Sequence, residues 1–426
     1  MGAVLSISTM NNYAHRSLPA PTHGTADWPG LPEDLLLTVM AALDVPSIVR
    51  SGATFRGLRL PTPKQAPYLL YACEEYGTDT AALYCPSSNT TFRVPFPRPP
   101  DERRGFVSSC YGWVFATNEA SDPYLLNPMT GSRAALPPFW TIYHGRSRYH
   151  RDQKRAWMAR LKNRVLDPSP TWAHHSGYNR VAISSTAELS KCTVLIVHTP
   201  DKWRLSFARP GDKEWTLLPG LCSQHVLYND KDDMFYALGL DSSVSTIDLN
   251  GPSPIVTVIM RGVSAWDSPT KYFAFSPSGE LMQIWRIYNC ANIPVKYMVD
   301  EDADDDDDDD DNDDEEDQDS DGTTNKLLIF KVDIGTQKLV ELRDIGDNAL
   351  FLGYNNAMFV PTKNFPAFKP NCAYLTHDSF DSIPTLPTDL GIWNVKERNM
   401  QKLRDAWPCM YSWLDLPSPI WITPRF

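Results

Sequence analysis

The sequence predicts a small all-α N-terminal module of two to three helices followed by an all-β propeller of about six blades, with a disordered acidic loop inserted late in the chain. Three observations predict it. Between Asp27 and Gly52, apolar residues recur at helical spacing behind a helix-start signal. After Pro61-Thr62-Pro63, β-branched or aromatic runs alternate with turn residues to the end of the chain. A similar closing segment then returns at intervals of roughly 35–50 residues, as propeller blades do.

Residues 1–26 are polar, rich in Ser, Thr, Asn and Pro and without periodicity, and are expected to be a disordered tail. They open on Met1-Gly2-Ala3-Val4-Leu5-Ser6, which fits the pattern for lipidation of Gly2. No polybasic cluster lies nearby and no cysteine precedes Cys73, so a second anchor is missing and no stable membrane anchor is expected.

The helical module spans 27–64. Pro32 suits a first helical position, where its missing N–H would have had no partner, and Glu33 and Asp34 oppose the positive end of the helix dipole. Leu35, Leu36, Val39, Met40 and Leu43 then cover one broad face. Asp44-Val45-Pro46 breaks this helix, and a second runs from about Pro46 to Gly52. So short a segment encloses no sufficient core by itself, so its apolar face calls for a partner.

Residues 65–426 form the β-rich part. The closing segments are Thr91–Phe96, Ser132–Pro137, Glu214–Pro219, Gln337–Leu342 and Asn399–Leu403, each after a strand and a polar turn. They divide the chain into units beginning near Tyr68, Phe106, Arg180, His225, Tyr272 and Ala349.

Charge is concentrated. The net charge is −12, yet the stretch Asp300–Asp321 alone holds 18 carboxylates, leaving 40 basic against 34 acidic side chains elsewhere. Residues 300–325 are therefore expected to be a solvated, disordered insertion between two strands, Tyr297–Val299 and Lys326–Phe330. The run lacks the ordered spacing and glycine turn of a calcium loop. Opposite in sign, Arg146–Arg164 carries Arg146, Arg148, Arg151, Lys154, Arg155, Arg160, Lys162 and Arg164 against Asp152, and is expected to be a basic surface helix between blades. The mild positive balance of the remainder does not imply nucleic-acid binding.

No candidate catalytic, metal or cofactor residue emerges. The chain has no GxSxG elbow, no Walker loop, no GxGxxG, no HExxH and no CxxC. The eight cysteines are expected to be buried free thiols in a reducing compartment, and the aromatic residues to pack between blades. No run of apolar residues is long enough for a membrane span.

Two stretches resemble known families. Leu31-Pro32-Glu33-Asp34-Leu35-Leu36, Val39, Leu43-Asp44-Val45-Pro46 and Val49-Arg50-Ser51-Gly52-Ala53 resemble an F-box. Phe55 and Leu58 stand where that family usually has Cys and Trp, a departure in the third helix. Tyr111-Gly112-Trp113, Leu125-Leu126-Asn127-Pro128, Leu205–Asp212 with Trp215, Phe235–Leu238, Ile345–Gly353 and Pro419–Pro424 resemble the plant DUF295, or KIB-type, β-propeller domain. Together these resemblances imply a substrate-receptor subunit of an SCF-type E3 ubiquitin ligase in the nucleus and/or cytoplasm. Leu31, Pro32, Leu35, Leu36, Val39 and Leu43 would dock on a Skp1-type adaptor and through it a cullin, and the propeller would bind a target protein of unknown identity. Such an adaptor has no active site of its own. The alternative is a non-catalytic scaffold or binding protein whose F-box is vestigial.

Overall fold

A computed structural model describes Leu35 and, between residues 66 and 424, all but 73–79, 88, 96–105, 119–121, 143–177, 185–190, 199–202, 264–269, 289–323, 377, 379–389 and 403–418. The described residues form six antiparallel-rich sheets arranged as the blades of a propeller. Blade 1 holds β1 (Tyr68–Ala72), β2 (Thr80–Cys85) and β3 (Thr90–Pro95). Blade 2 holds β4 (Phe106–Cys110), β5 (Trp113–Thr117), β6 (Pro123–Leu126) and β7 (Arg133–Ala135). Blade 3 holds β8 (Arg180–Ile183), β9 (Val194–His198), β10 (Arg204–Ala208) and β11 (Thr216–Cys222). Blade 4 holds β12 (His225–Asn229), β13 (Met234–Leu238), β14 (Val244–Asp248) and β15 (Ile255–Met260). Blade 5 holds β16 (Thr270–Phe275), β17 (Leu281–Tyr288), β18 (Thr324–Asp333) and β19 (Lys338–Leu342).

Blade 6 departs from this plan. Its five strands, β20 (Asn348–Leu352), β21 (Met358–Pro361), β22 (Cys372–Leu375), β23 (Gly391–Asn394) and β24 (Asn399–Lys402), lie in the order β21-β20-β22-β23-β24, and β20 and β22 are parallel. The last strand, β25 (Ile420–Ile422), returns to blade 1 and pairs with β1, Leu69 opposite Trp421. The first blade is thus finished by the end of the chain, which closes the ring.

The expected unit starts agree closely with the first strand of each blade, which begin at Tyr68, Phe106, Arg180, His225, Thr270 and Asn348. Each recurrent closing segment is an outermost strand: β3, β7, β11, β19 and β24. Outer strands face water and follow a tight turn, so they repeat a polar-turn signature. Inner strands are buried on both faces and read only as short apolar runs. The motif Tyr111-Gly112 is the hairpin between β4 and β5, with φ of 50° and 81°, the left-handed pair that a two-residue turn of this twist requires.

The core of the described residues is divided among six apolar clusters, one at each seam between neighbouring blades. Trp215 and Tyr178 lie between blades 2 and 3, Tyr228 and Leu195 between blades 3 and 4, and Trp393 and Ile284 between blades 5 and 6. The seam between blades 6 and 1 sets Trp421 edge-to-face with Phe351 and Tyr374, ring centroids 4.9 and 6.0 Å away. The expectation that aromatic residues fill the seams holds for these side chains.

One expectation is corrected, and others fall outside the described residues. Of the all-α module at 27–64, only Leu35 is described, in helical conformation and 53% exposed; no complete helix of that module is among the described elements. Cys85, Cys110, Cys192 and Cys372 are buried free thiols, but Cys222 is exposed, because it ends an outer strand. The acidic insertion follows β17, which ends at Tyr288; the expected strand Tyr297–Val299 lies outside the described residues, whereas Lys326–Phe330 falls within β18. The basic segment Arg146–Arg164 also lies outside them, in the connection between blades 2 and 3. Among the described residues no helix is long and apolar enough to cross a membrane.

Candidate functional site

The inner strands converge on a buried charge cluster around the propeller axis. Arg180 opens β8 of blade 3, and Tyr272 lies near the start of β16 in blade 5. Arg286 and Tyr288 end β17, which the antiparallel register Thr270 opposite Arg286 brings to the same end of the blade. Asp378 comes from blade 6, three residues beyond β22. All three charged side chains are fully enclosed, with relative exposures of 1%, 0% and 0% for Arg180, Arg286 and Asp378.

Every oxygen of the carboxylate is engaged. Arg180 Nη2 donates to Oδ2 at 2.7 Å and Arg286 Nη1 to Oδ1 at 3.1 Å. Tyr272 donates its hydroxyl at 2.8–2.9 Å and Tyr288 at 2.7 Å. Arg286 also donates from Nε to Thr324 Oγ1 and from Nη1 to the Thr376 carbonyl, both at 2.8 Å. Both guanidiniums also lie against aromatic faces. Arg180 sits 5.4 Å from the Tyr272 ring and 5.3 Å from Tyr354, while Arg286 sits 4.9 Å from Tyr288.

This geometry sets the protonation states. Burial alone would raise the Asp378 carboxyl, but Arg180 and Arg286 overcome it and hold the group below the usual carboxylate range. Burial pushes the hydroxyls of Tyr272, Tyr288 and Tyr354 up, so they remain donors. His225, the first residue of β12, is held well below the ordinary histidine range by burial and then by the Arg180 guanidinium, against the opposing pull of Asp378. Its neutral ring accepts from the Phe273 N–H at Nδ1, 3.4 Å away. The cluster therefore holds charge in fixed geometry. Asp378 is the one buried carboxylate among the described residues.

Toward the other end of the axis lies a cavity of about 140 Å³ lined by Ser109, Cys110, Tyr111, Leu227, Asn356, Ala357, Met358 and Thr423. The turn between β20 and β21 reaches into it. Asn356 N–H donates to the Ser109 carbonyl at 3.1 Å, Ser108 Oγ donates to the Tyr354 carbonyl at 2.7 Å, and Asn356 Nδ2 lies 2.9 Å from Cys110 Sγ. Gly353 starts this turn because a Cβ there would stand 1.9 Å from Thr376 Oγ1. Polar groups of blades 2 and 6 thus satisfy one another across the axis. Among the described residues no cluster of three His, Cys, Asp or Glu could hold a metal ion.

The family model of the KIB1-4 beta-propeller matches residues 83–400, three-quarters of the chain. The chain belongs to the KIB1-4 β-propeller family. A curated Arabidopsis thaliana protein, provisionally named an F-box protein, is 23% identical over 241 residues, covering 52% of this chain and 55% of the relative. The chain thus matches just over half the length of that relative. Among solved structures, the β-propeller domain of Myceliophteria thermophila Cps50 (Swd1) is similar at a TM-score of 0.32 and 12% identity, over 64% of this chain and 68% of the other.

Of the docking residues read from the sequence, Leu31, Pro32, Leu36, Val39 and Leu43 lie outside the described residues, as does Gly2, and Leu35 is described and exposed. The axial cluster had escaped the sequence reading. Its trace there is a charge inside an apolar run, Arg180 before Val181-Ala182-Ile183 and Arg286 between Trp285 and Ile287. Asp378 carried no such mark.

Proposed function

We propose that this chain is the substrate receptor of an SCF-type ubiquitin ligase. The helical face of Leu31, Pro32, Leu35, Leu36, Val39 and Leu43 docks on a Skp1-type adaptor, and the propeller holds a target protein for transfer chemistry carried out by other subunits. The observation that carries this reading is the conjunction of an LPEDLL helix start at residues 31–36 with a KIB1-4 propeller. Two further observations support it: a relative that bears an F-box name, and the 53% exposure of Leu35, a large apolar side chain left in water. A few such leucines, each worth about 1.5–3 kcal/mol when buried, supply most of the energy of a small contact.

The test is co-purification of the full chain with a Skp1-type adaptor. Leu35→Asp with Leu36→Asp should abolish it while the propeller's thermal transition stays in place, because two carboxylates would then be desolvated in the contact. Normal recovery of the adaptor with the double variant would defeat the reading. Phe55 and Leu58, in place of the usual Cys and Trp, favour a second reading, a scaffold with a vestigial F-box. Failure of the unmodified chain to bind the adaptor at micromolar concentration would select it.

A further inference from the structure

The outer rim of the propeller has one edge unlike the rest. Each blade ends in an outermost strand with a neighbour on one side only, and exposed edges of this kind invite pairing with other chains unless charge, proline or shortness prevents it. Five of the six are so protected: β3 carries Arg93, β7 has three residues, β11 contains Pro219-Gly220, β19 carries Lys338 and Glu341, and β24 has four residues. The sixth, β15, reads Ile255-Val256-Thr257-Val258-Ile259-Met260, with no charge, proline or glycine. Four consecutive residues are exposed on both faces, Ile255 at 60%, Val256 at 41% and Val258 at 61% among them. Among the described residues no strand pairs with its outer edge. The side chain of Gln337, from the turn of the next blade, caps only its far end, donating to the Ile259 carbonyl at 2.9 Å. Exposed Val263 and Ile334 extend the apolar wall at that end.

The sequence of the strand says what fits it. Ile255-Val256-Thr257-Val258-Ile259 is a palindrome. We propose that β15 is a homodimer edge: two copies of this chain pair their β15 strands antiparallel about a two-fold axis at Thr257, joining blade 4 of each into one continuous sheet. In that register Thr257 meets Thr257 of the second copy, Val256 meets Val258, and Ile255 meets Ile259. Like β-branched residues then stand opposite one another, the pairing that stabilises cross-strand neighbours. A two-fold axis brings the same surface from both copies together, so a self-paired edge must tolerate its own residues. No like charges meet on β15, whereas β19 or β3 would bring extra charge of its own into such a contact. A foreign strand could use the same edge, but nothing in it selects an unlike partner, whereas the palindrome selects a copy of itself.

Sedimentation velocity of the full chain over a concentration series tests this. The expected result is a species of twice the 48.1 kDa chain mass that becomes monomeric in a Val256→Lys, Val258→Lys variant with unchanged circular dichroism. That variant sets lysine against lysine across the axis. A Thr257→Cys variant under mild oxidation should add an interchain disulfide beyond the background of unmodified protein, which keeps the test open if the lysine variant folds poorly. A monomeric unmodified chain throughout the series, or a dimer that survives the lysine variant without cross-linking through residue 257, would overturn the proposal.

Discussion

Asp378 carries more of the architecture than any other single side chain described. Its carboxylate is the only buried counter-charge of Arg180 and Arg286 among the described residues, and it joins blade 6 to blades 3 and 5 across the axis. Neutralising it removes a buried counter-charge from two enclosed guanidiniums, so Asp378→Asn should lower stability by about 3–5 kcal/mol, read as a fall in the denaturant midpoint. His225 makes a second prediction. Its folded-state pKa is depressed, so below its unfolded value of roughly 6.5 the unfolded chain takes up a proton that the native chain refuses. Stability is therefore complete above that pH and falls as pH drops, by about 1.4 kcal/mol per unit until the native ring protonates. Titration of the denaturation midpoint from neutral to mildly acidic pH should show this slope, and His225→Gln, which can still accept from Phe273 N–H, should flatten it. Arg180 and Arg286 were visible in the sequence as charges within apolar strands. Their partner was not, because Asp378 follows a strand from a different blade, and no local pattern records a contact 92 or 198 residues away in the chain.

Among elements, the decisive one is short. Strand β25 has three residues, all buried, and completes the first blade with the last turn of the chain. Trp421 fills the seam it closes, against Phe351 and Tyr374. Truncating it in Trp421→Ala should cost about 3–5 kcal/mol, since the space lies between two sheets that cannot both collapse into it. Thermal unfolding followed by circular dichroism and by tryptophan fluorescence should show the loss in both probes together, because the seam couples the first and last blades. The strands themselves were largely legible: outer strands by their turn-and-polar signature, inner ones by apolar runs. The pairing of β25 with β1 was not, since Ile420-Trp421-Ile422 reads as a strand without saying which edge it completes. The parallel β20–β22 pair was equally hidden, because the β20–β21 hairpin folds toward the axis through contacts with Ser108 and Ser109, remote in sequence.

At the scale of the whole molecule, six apolar seams make a ring in which each blade is held by two neighbours, and the axial cluster fixes one end of it. The two charged connections are attached at that same end: 143–177 leads into Asn179 and Arg180, and 289–323 leaves from Tyr288, both at the Asp378 site. Leu35, the one described residue before position 66, is exposed. The receptor reading adds to this ring a proposed docking face at residues 31–43. Its most direct test is the equilibrium affinity of the purified full chain for a purified Skp1-type adaptor, by titration calorimetry, alongside the Leu35→Asp, Leu36→Asp variant. Submicromolar binding lost in the variant is the predicted result; equal affinity of both proteins, or none for either, would contradict it.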